Sequence, residues 1–401
     1  MHQNILKVIA WYLVAQPVID VLTNLIPTDS NFSISMIIRF GFLAFFLYYF
    51  IVVCKSKFKQ GSLALLGVIG LYIALFIIHL TGSNLFYEIQ NVIKTFYFPT
   101  LFICLFNIGY EKKDLIKRDD LTLMLGIYTL IIVVAEITHT AYSSYAVTKV
   151  GHVGWFKTAN EVGAILAIIL PVLFSEVIAH RRPSQVILLV ITVVAILIMG
   201  TKTPLLSLAI CFILFVIKGM QILKQKKKYR LLAGAIGACV ALVIAFIILI
   251  PLTPIYQNTL VHSEYLKIDS IQELFKNPKI WDHFFLGERG KFLTQTFELY
   301  QQAPLLDKLL GIGYDVPRKM IEMDFFDLLL RQGIVGFVIY FITPIYLMVS
   351  SHTKKDKTYL VSVVMGVVIA FVVGHVFLAP AVSFIMAILL LKWNQKGAQY
   401  E

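Results

Sequence analysis

Long apolar stretches separated by polar turns dominate the pattern of the chain. A helix that crosses a membrane needs about 20 mainly apolar residues. The stretches predict membrane helices at 5–25, 34–53, 62–80, 89–106, 121–138, 159–178, 184–200, 203–217, 231–250, 328–349, 358–377 and 380–392. The pattern therefore indicates an all-α fold, a polytopic membrane helical bundle of about 12 transmembrane helices.

One polar segment, residues 251–327, is too long for a turn between spans, and long loops in compact proteins are usually functional or disordered. This segment keeps Phe, Leu, Trp and Tyr throughout, so we expect a folded, partly helical extracellular loop with helices at 270–275 and 289–302. The chain then divides into spans 1–9 (residues 1–250), the large loop (251–327), and spans 10–12 with a cytoplasmic tail (328–401).

Composition and charge support a membrane protein. Hydrophobic residues make up 59% of the chain and charged residues only 14%, whereas a soluble domain carries roughly 25% charged residues. Lys and Arg occupy alternate short turns, which predicts that both termini are cytoplasmic. The net charge of +12 is therefore mostly a topology signal, and we expect no nucleic-acid partner. The turns with Lys and Arg lie near 55–59, 112–118, 181–182, 218–230 and 354–357.

Ionisable and polar residues within the spans collect in the predicted outer half, and such residues are functional candidates by default. A proton or ion pathway would place charges through the midplane, so a cluster confined to one leaflet suits the headgroup of an amphiphile. Local ion pairs, Asp20 with Arg39 and Asp327 with Arg331, are the simpler alternative for part of this set. The set comprises Asp20, Arg39, Lys94, Glu136, Asn160, Glu161, Lys202 and Arg331.

Several short motifs share an order and spacing that is similar to one family. They are GWFKTANEVG at 154–163, GTKTPLLSL at 200–208, GER at 287–289, LGIG at 310–313, and EMDFFD at 322–327 followed by GIVG at 333–336. Together they resemble the O-antigen ligase and Wzy-type polymerase superfamily. Lys202 stands where that family has an arginine, and Glu322 stands where it has a histidine, as in teichuronic acid and capsule polymerases of Gram-positive bacteria.

The resemblance implies a membrane glycosyltransferase, a cell-surface polysaccharide polymerase or ligase on the outer face of a bacterial cytoplasmic membrane. The donor would be an undecaprenyl-diphosphate-linked glycan and the acceptor a glycan or a lipid-linked glycan, with membrane lipids around the chain. A flippase and a chain-length regulator are further implied partners. No cofactor and no metal ion are expected.

The same resemblance assigns roles to individual residues. Arg289 and Lys202 would stabilise the departing diphosphate, because cations offset the charge that develops there. Glu322 would be the base for the acceptor hydroxyl, with a pKa raised by burial. Asp324, Asp327 and His375 are alternative bases, and a divalent cation held by Glu322 and Asp324 is a further alternative. The predicted substrate-binding residues are Lys94, Arg39, Asp324, Asn160, Gly311 and Gly313.

Two other classes compete with the enzyme. A lipid-linked oligosaccharide flippase would carry two related halves and polar residues along the whole crossing route, and the sequence shows neither. An accessory subunit of a wall-assembly complex would not require cations that face a loop carboxylate. The sequence therefore favours the glycosyltransferase and leaves polymerase and ligase open.

Overall fold

The computed structural model describes residues 2–26, 33–80, 84–112, 115–145, 150–180, 182–225, 227, 248, 250–266, 276–315, 319–351 and 359–394. The described chain is almost entirely helical. It forms two compact units, the first made of Met1–Lys117 with Ser270–Glu401 and the second of Arg118–Asp269.

The first unit contains most of the helices. Before the second unit the chain forms α1 (His2–Leu25), α2 (Ile34–Tyr48, extended by a π-helical turn at Tyr49–Val53), α3 (Lys59–His79), α4 (Leu85–Thr95) and α5 (Tyr97–Lys112). The second unit contains α6 (Arg118–Ile137), a hairpin of β1 (Tyr142–Ser143) and β2 (His152–Gly154), α7 (Ala159–His180), α8 (Pro183–Met199), α9 (Lys202–Gln225), a 3-10 turn at Ile250–Leu252 and α10 (Pro254–Tyr265). The first unit then resumes with α11 (Pro278–Trp281), a π-helical turn (Asp282–Leu286), α12 (Arg289–Gln302), α13 (Leu305–Leu310), α14 (Asp324–Ser350), α15 (Leu360–Val372) and α16 (Pro380–Trp393).

Each unit is built around helices that are apolar on all sides and therefore buried. In the first unit α5 and α16 pack against each other, and α2 and α14 pack on α5. In the second unit α7 is buried almost throughout, and α6, α8 and α9 surround it. Cys54, Cys104 and Cys211 are buried thiols of these cores, in keeping with a packing role.

Eight helical stretches of the described chain, one of them made of α4 and α5 together, are long and apolar enough to cross a membrane. All eight coincide with predicted spans. Three predicted spans, at 184–200, 358–377 and 380–392, correspond to the shorter apolar helices α8, α15 and α16. Most of the span predicted at 231–250 lies outside the described residues. The structure therefore supports a polytopic helical membrane protein, while the number of twelve spans and the outer location of residues 251–327 stay predictions.

The helix predicted at 289–302 is confirmed as α12, with the same first and last residues. Phe292, Leu293 and Tyr300 of this helix pack, together with Phe326, on a small core of Ile321, Met323 and Leu330. Thr296 is fully buried on this face, whereas Phe297 is exposed. The helix predicted at 270–275 lies outside the described residues. The helix α12 is thus fixed to the first turns of α14, which places its first residue beside the turn that precedes α14.

Candidate functional site

Arg289 is the first residue of α12, and three acceptors hold its guanidinium. Nη1 donates to the backbone oxygen of Leu286 at 2.8 Å, and Nε donates to the backbone oxygen of Glu322 at 3.2 Å. Nη2 donates to the carboxylate Oε2 of Glu322, also at 3.2 Å. The side chain of Arg289 keeps 14% of its surface exposed. A rigidly held, partly accessible guanidinium suits the recognition of carboxylate or phosphate oxygens.

The helix start that carries Arg289 is built by an unusual cap. Gly287 and Glu288 both have left-handed backbone conformations, and the side chain of Glu288 makes no capping bond. Asp282 caps the helix instead, because its carboxylate accepts hydrogen bonds from the backbone N–H groups of Gly290 and Lys291 at 2.7 and 3.0 Å. This cap fixes the direction of α12 and therefore the position of Arg289.

Glu322 is the centre of a polar cluster of four residues, Arg289, Lys319, Glu322 and His375, which we call the Arg289 cluster. Lys319 Nζ lies 3.4 Å from Glu322 Oε1, and His375 Nε2 lies 3.7 Å from Glu322 Oε2. The imidazole of His375, together with the charges of Lys319 and Arg289, lowers the pKa of the Glu322 carboxyl to about 2, although burial acts in the opposite direction. The predicted upward shift of this pKa is wrong, because neighbouring donors and cations outweigh desolvation.

Asp324 has a structural role that the sequence did not indicate. Its Oδ1 accepts a hydrogen bond from the backbone N–H of His375, and its Oδ2 accepts two, from Val376 and Phe377. The side chain is buried, with 1% of the residue exposed. A carboxylate used in this way positions the turn between α15 and α16, which corrects its predicted role in substrate binding. The same bonds argue against a divalent cation shared by Asp324 and Glu322.

His375 enters the Arg289 cluster from the turn that Asp324 holds. The sequence indicated it only as an alternative base, and a separation of about 50 residues from Glu322 gives no sign that the two side chains meet. One feature of the sequence marks this turn. His375 follows directly after Gly374 between two apolar helices, and histidine adopts the left-handed conformation more readily than most residues, as both Gly374 and His375 do here.

The two glycines of the LGIG motif, Gly311 and Gly313, allow a close approach of backbone segments. Gly311 has φ +108°, and a Cβ there would lie 2.1 Å from the backbone oxygen of Arg331. A Cβ on Gly313 would lie 2.7 Å from Glu88 Oε1. The N–H groups of both residues already donate, to Asp307 and Arg331 oxygens. The tight turn is confirmed, and these donors serve the fold instead of the predicted substrate contact.

The turn at residues 310–313 packs against a break in the helix α14. Gly333 has φ +66° and ψ 179°, so the helix is interrupted there. The backbone oxygens of Leu330 and Arg331 accept hydrogen bonds from Ile312 and Gly313, and the oxygen of Gln332 accepts one from Tyr72. Broken helices at membrane depth need such partners for their freed carbonyl groups. The LGIG motif therefore supplies backbone donors to the carbonyl groups that the helix break at the GIVG motif leaves without helical partners.

The alternative of local ion pairs is confirmed at both places where the sequence raised it. Arg331 Nε lies 3.5 Å from Asp327 Oδ1, and both side chains are 1% exposed. Asp327 also accepts hydrogen bonds from the backbone N–H groups of residues 321–323. Arg39 pairs with Asp20 and donates to Gln16. The predicted substrate contact of Arg39 therefore loses its support, because its guanidinium is 6% exposed and already paired.

The other predicted site residues are exposed at helix ends. Lys94 lies in the last turn of α4 in the first unit. Asn160 lies in the first turn of α7, and Lys202 begins α9, both in the second unit. Gly163 packs against Thr201 and Pro204, and Ser207 Oγ donates to Ala167 O at 2.7 Å, so α7 and α9 run side by side from these ends.

The second unit also contains an open cleft of about 460 Å³. Its lining is mostly aliphatic, with Glu136, His152, Thr253 and Gln257 as its polar side chains. His152 Nδ1 lies 2.7 Å from Glu136 Oε2. The sequence indicated no role for His152 or for this cleft.

The Arg289 cluster combines the parts that the departure of an anionic leaving group needs. A fixed guanidinium and an ammonium provide positive charge, a carboxylate orients them, and an imidazole can exchange a proton near neutral pH. Glu322 and His375 keep 28% and 27% of their side-chain surfaces exposed, so the cluster is accessible to a ligand. Within the described part of the chain, no group of three His, Cys, Asp or Glu residues is arranged to hold a metal ion.

Comparison with known proteins identifies the chain at the level of a family. The family model described as "O-antigen ligase like membrane protein" matches residues 2–280 and 272–392, nearly the full length of the sequence. Searches of curated proteins and of solved structures found no match. The family covers the motifs at 154–163, 200–208 and 310–336 and agrees with the resemblance on which the site residues were assigned. The chain therefore belongs to the family of O-antigen ligase like membrane proteins.

Proposed function

We propose that the protein joins glycans at the outer face of a bacterial cytoplasmic membrane, using an undecaprenyl-diphosphate-linked glycan as donor. Membership of the ligase-like family implies a membrane enzyme that transfers glycosyl groups. The observation that carries the finer proposal is the Arg289 cluster, in which three backbone and side-chain acceptors hold one partly exposed guanidinium.

Arg289 and Lys319 are the cations that we assign to the donor diphosphate. When the glycosyl group leaves, negative charge builds up on the diphosphate, and preorganised cations stabilise that charge most where water is excluded. Arg289 offers a planar fork to phosphate oxygens, while Lys319 offers a point charge 3.4 Å from Glu322. Lys202 and Lys94 stay predicted phosphate ligands, and Asn160 stays a predicted substrate contact.

Glu322 has a different role from the predicted one. A carboxyl group with a pKa of about 2 is ionised at neutral pH and is a weak base. Its two oxygens instead face Arg289, Lys319 and His375. We assign Glu322 to positioning these three side chains.

The proposed orientation of the protein in the membrane follows from the Lys- and Arg-rich turns. Both termini are then cytoplasmic, and residues 276–315 and 319–323 lie on the opposite side, where a lipid-linked glycan would meet them after a flippase has moved it. The acceptor is either a second lipid-linked glycan, for a polymerase, or a different glycan or lipid, for a ligase. A chain-length regulator is a further candidate partner for the polymerase.

Reconstitution tests this proposal directly. The purified protein in vesicles would receive a polyprenyl-diphosphate-linked oligosaccharide, and both the release of polyprenyl diphosphate and the size of the products would be followed. A ladder of longer lipid-linked glycans supports a polymerase, and transfer only to an added, different acceptor supports a ligase. Movement of the lipid across the bilayer with no release of polyprenyl diphosphate would overturn the proposal in favour of a flippase.

A further inference from the structure

His375 faces the carboxylate that the family resemblance places at the reaction centre. Its Nε2 lies 3.7 Å from Glu322 Oε2, and 27% of the imidazole side chain is exposed. At 3.7 Å the two atoms are beyond hydrogen-bond distance, and the carboxylate acts on the imidazole through its charge.

The backbone around His375 is built to hold the imidazole in this place. His375 has φ +62°, a left-handed conformation that costs free energy for a residue with a Cβ and that is frequent at functional sites. Three consecutive N–H groups, from residues 375–377, donate to the buried carboxylate of Asp324. A Cβ on Gly374 would lie 2.3 Å from the backbone oxygen of Glu322, so the turn and Glu322 are in direct contact.

Four ionisable groups surround the imidazole of His375. Glu322 faces its side chain, and Asp324 accepts from its backbone. Arg289 and Lys319 contact Glu322 from α12 and from the turn before α14. The Glu322 carboxylate is therefore shared among two cations and the imidazole. Glu322 itself is a weak base, since its pKa is lowered to about 2.

We propose that His375 is the general base of the glycosyl transfer and that Glu322 orients it. This inference rests on the proposed function and adds the group that takes the proton. The acceptor oxygen forms a bond to the anomeric carbon, while the bond from that carbon to the diphosphate oxygen breaks with its electron pair. The hydroxyl proton passes to the imidazole of His375, and the polyprenyl diphosphate leaves beside Arg289. The imidazolium then gives its proton to water.

His375→Asn tests the proposal with the least disturbance of the turn, because asparagine tolerates left-handed backbone better than most residues. The matched control is His152→Gln, which alters an imidazole–carboxylate pair with Glu136 in the second unit. In the reconstituted assay, we expect His375→Asn to lower kcat by about 10²–10⁴-fold, while the KM for the donor changes by less than about threefold. We expect His152→Gln to keep the rate of the unaltered protein. Thermal unfolding of each variant reports whether it is folded.

The dependence of the rate on pH separates a base from a structural histidine. The unaltered protein should lose activity on the acidic side of its pH profile, as the imidazole becomes protonated. The residual activity of His375→Asn should lack this acidic limb, and Glu322→Gln should shift it to lower pH because the imidazolium loses its carboxylate partner. A folded His375→Asn variant with an unchanged kcat and acidic limb would overturn the inference. If the unaltered protein releases no polyprenyl diphosphate, it is the proposed function that fails.

Discussion

Arg289 donates hydrogen bonds to both the side chain and the backbone of Glu322, each at 3.2 Å. The pair connects the first residue of α12 to the turn before α14, two elements that are 33 residues apart. Neither residue can therefore move alone. This double contact holds the side chain of Arg289 in one place, although α12 is too short to cross a membrane.

The Glu322 carboxylate predicts a specific response to acid. Its pKa is about 2 in the fold against an ordinary 4.5, so its interactions stabilise the protein above about pH 4.5 and are lost as the pH falls towards 2. We expect Glu322→Gln to lower the free energy of unfolding at pH 7 by on the order of 2 kcal/mol, a figure discounted for the partial exposure of the group. The deficit should shrink as the pH falls from 4.5 to 2.5, as measured by thermal unfolding in detergent. Glu298→Gln, a change at an exposed position of α12, is the control. A deficit that stays constant with pH would refute this role.

Asp324 gives a prediction about the turn between α15 and α16. Asp324→Asn keeps the shape of the side chain but replaces one acceptor oxygen with an NH2 group that faces backbone donors. We expect a loss of about 1–3 kcal/mol in the free energy of unfolding and a parallel loss of activity through His375. Asp307→Asn, which alters a partly exposed carboxylate 3.0 Å from His79, should cost less. Equal unfolding temperatures for Asp324→Asn and the unaltered protein would contradict this prediction.

The break in α14 predicts that Gly333 cannot be replaced by alanine. A Cβ there would lie 2.4 Å from the backbone oxygen of Leu309, and the backbone conformation at φ +66°, ψ 179° is accessible almost only to glycine. We expect Gly333→Ala to lower stability by roughly 3 kcal/mol or more. Gly67→Ala in α3 meets open space and should be neutral or stabilising by up to about 1 kcal/mol. The yield of monodisperse protein and the unfolding temperature of each variant measure these two effects.

Cysteine labelling tests the predicted topology. Gln301 and Lys57 are both exposed, and they are predicted to lie on opposite sides of the membrane. In a variant that lacks the four native cysteines, we expect Gln301→Cys to react with a membrane-impermeant maleimide on intact cells. Lys57→Cys should react only after lysis. The opposite result would invert the orientation and place the Arg289 cluster on the cytoplasmic side.

Much of the fold was predictable because membrane spans leave a simple trace in the sequence. A span is apolar over its whole length, and the eight longest apolar helices of the described chain were found in this way. The helix Arg289–Gln302 was predicted to the residue, because its apolar positions recur at helical spacing and Pro304 follows it. The break at Gly333 was not predicted, since glycine is frequent in membrane helices and the partners of the freed carbonyls are distant in sequence.

The candidate site was predicted only in part, for a physical reason. Motifs identified Arg289 and Glu322, which do meet. The same motifs gave no information on which groups surround each carboxylate. Asp324 and Glu322 stand two residues apart, yet one is buried against backbone donors and the other faces cations. The pKa of Glu322 and the approach of His375 depend on contacts between separate elements, which spacing along the chain does not reveal.

The most direct test of the site is the rate of polyprenyl diphosphate release by the unaltered protein, Arg289→Ala and Lys291→Ala in one reconstituted assay. Lys291 lies on the same helix, is 54% exposed and pairs with Glu288, so its loss changes charge without altering the Arg289 cluster. We predict that Arg289→Ala lowers kcat by about 10²–10³-fold, as the loss of one preorganised donor does elsewhere, while Lys291→Ala stays within about twofold. Equal rates for a folded Arg289→Ala and the unaltered protein would contradict the assignment of the site.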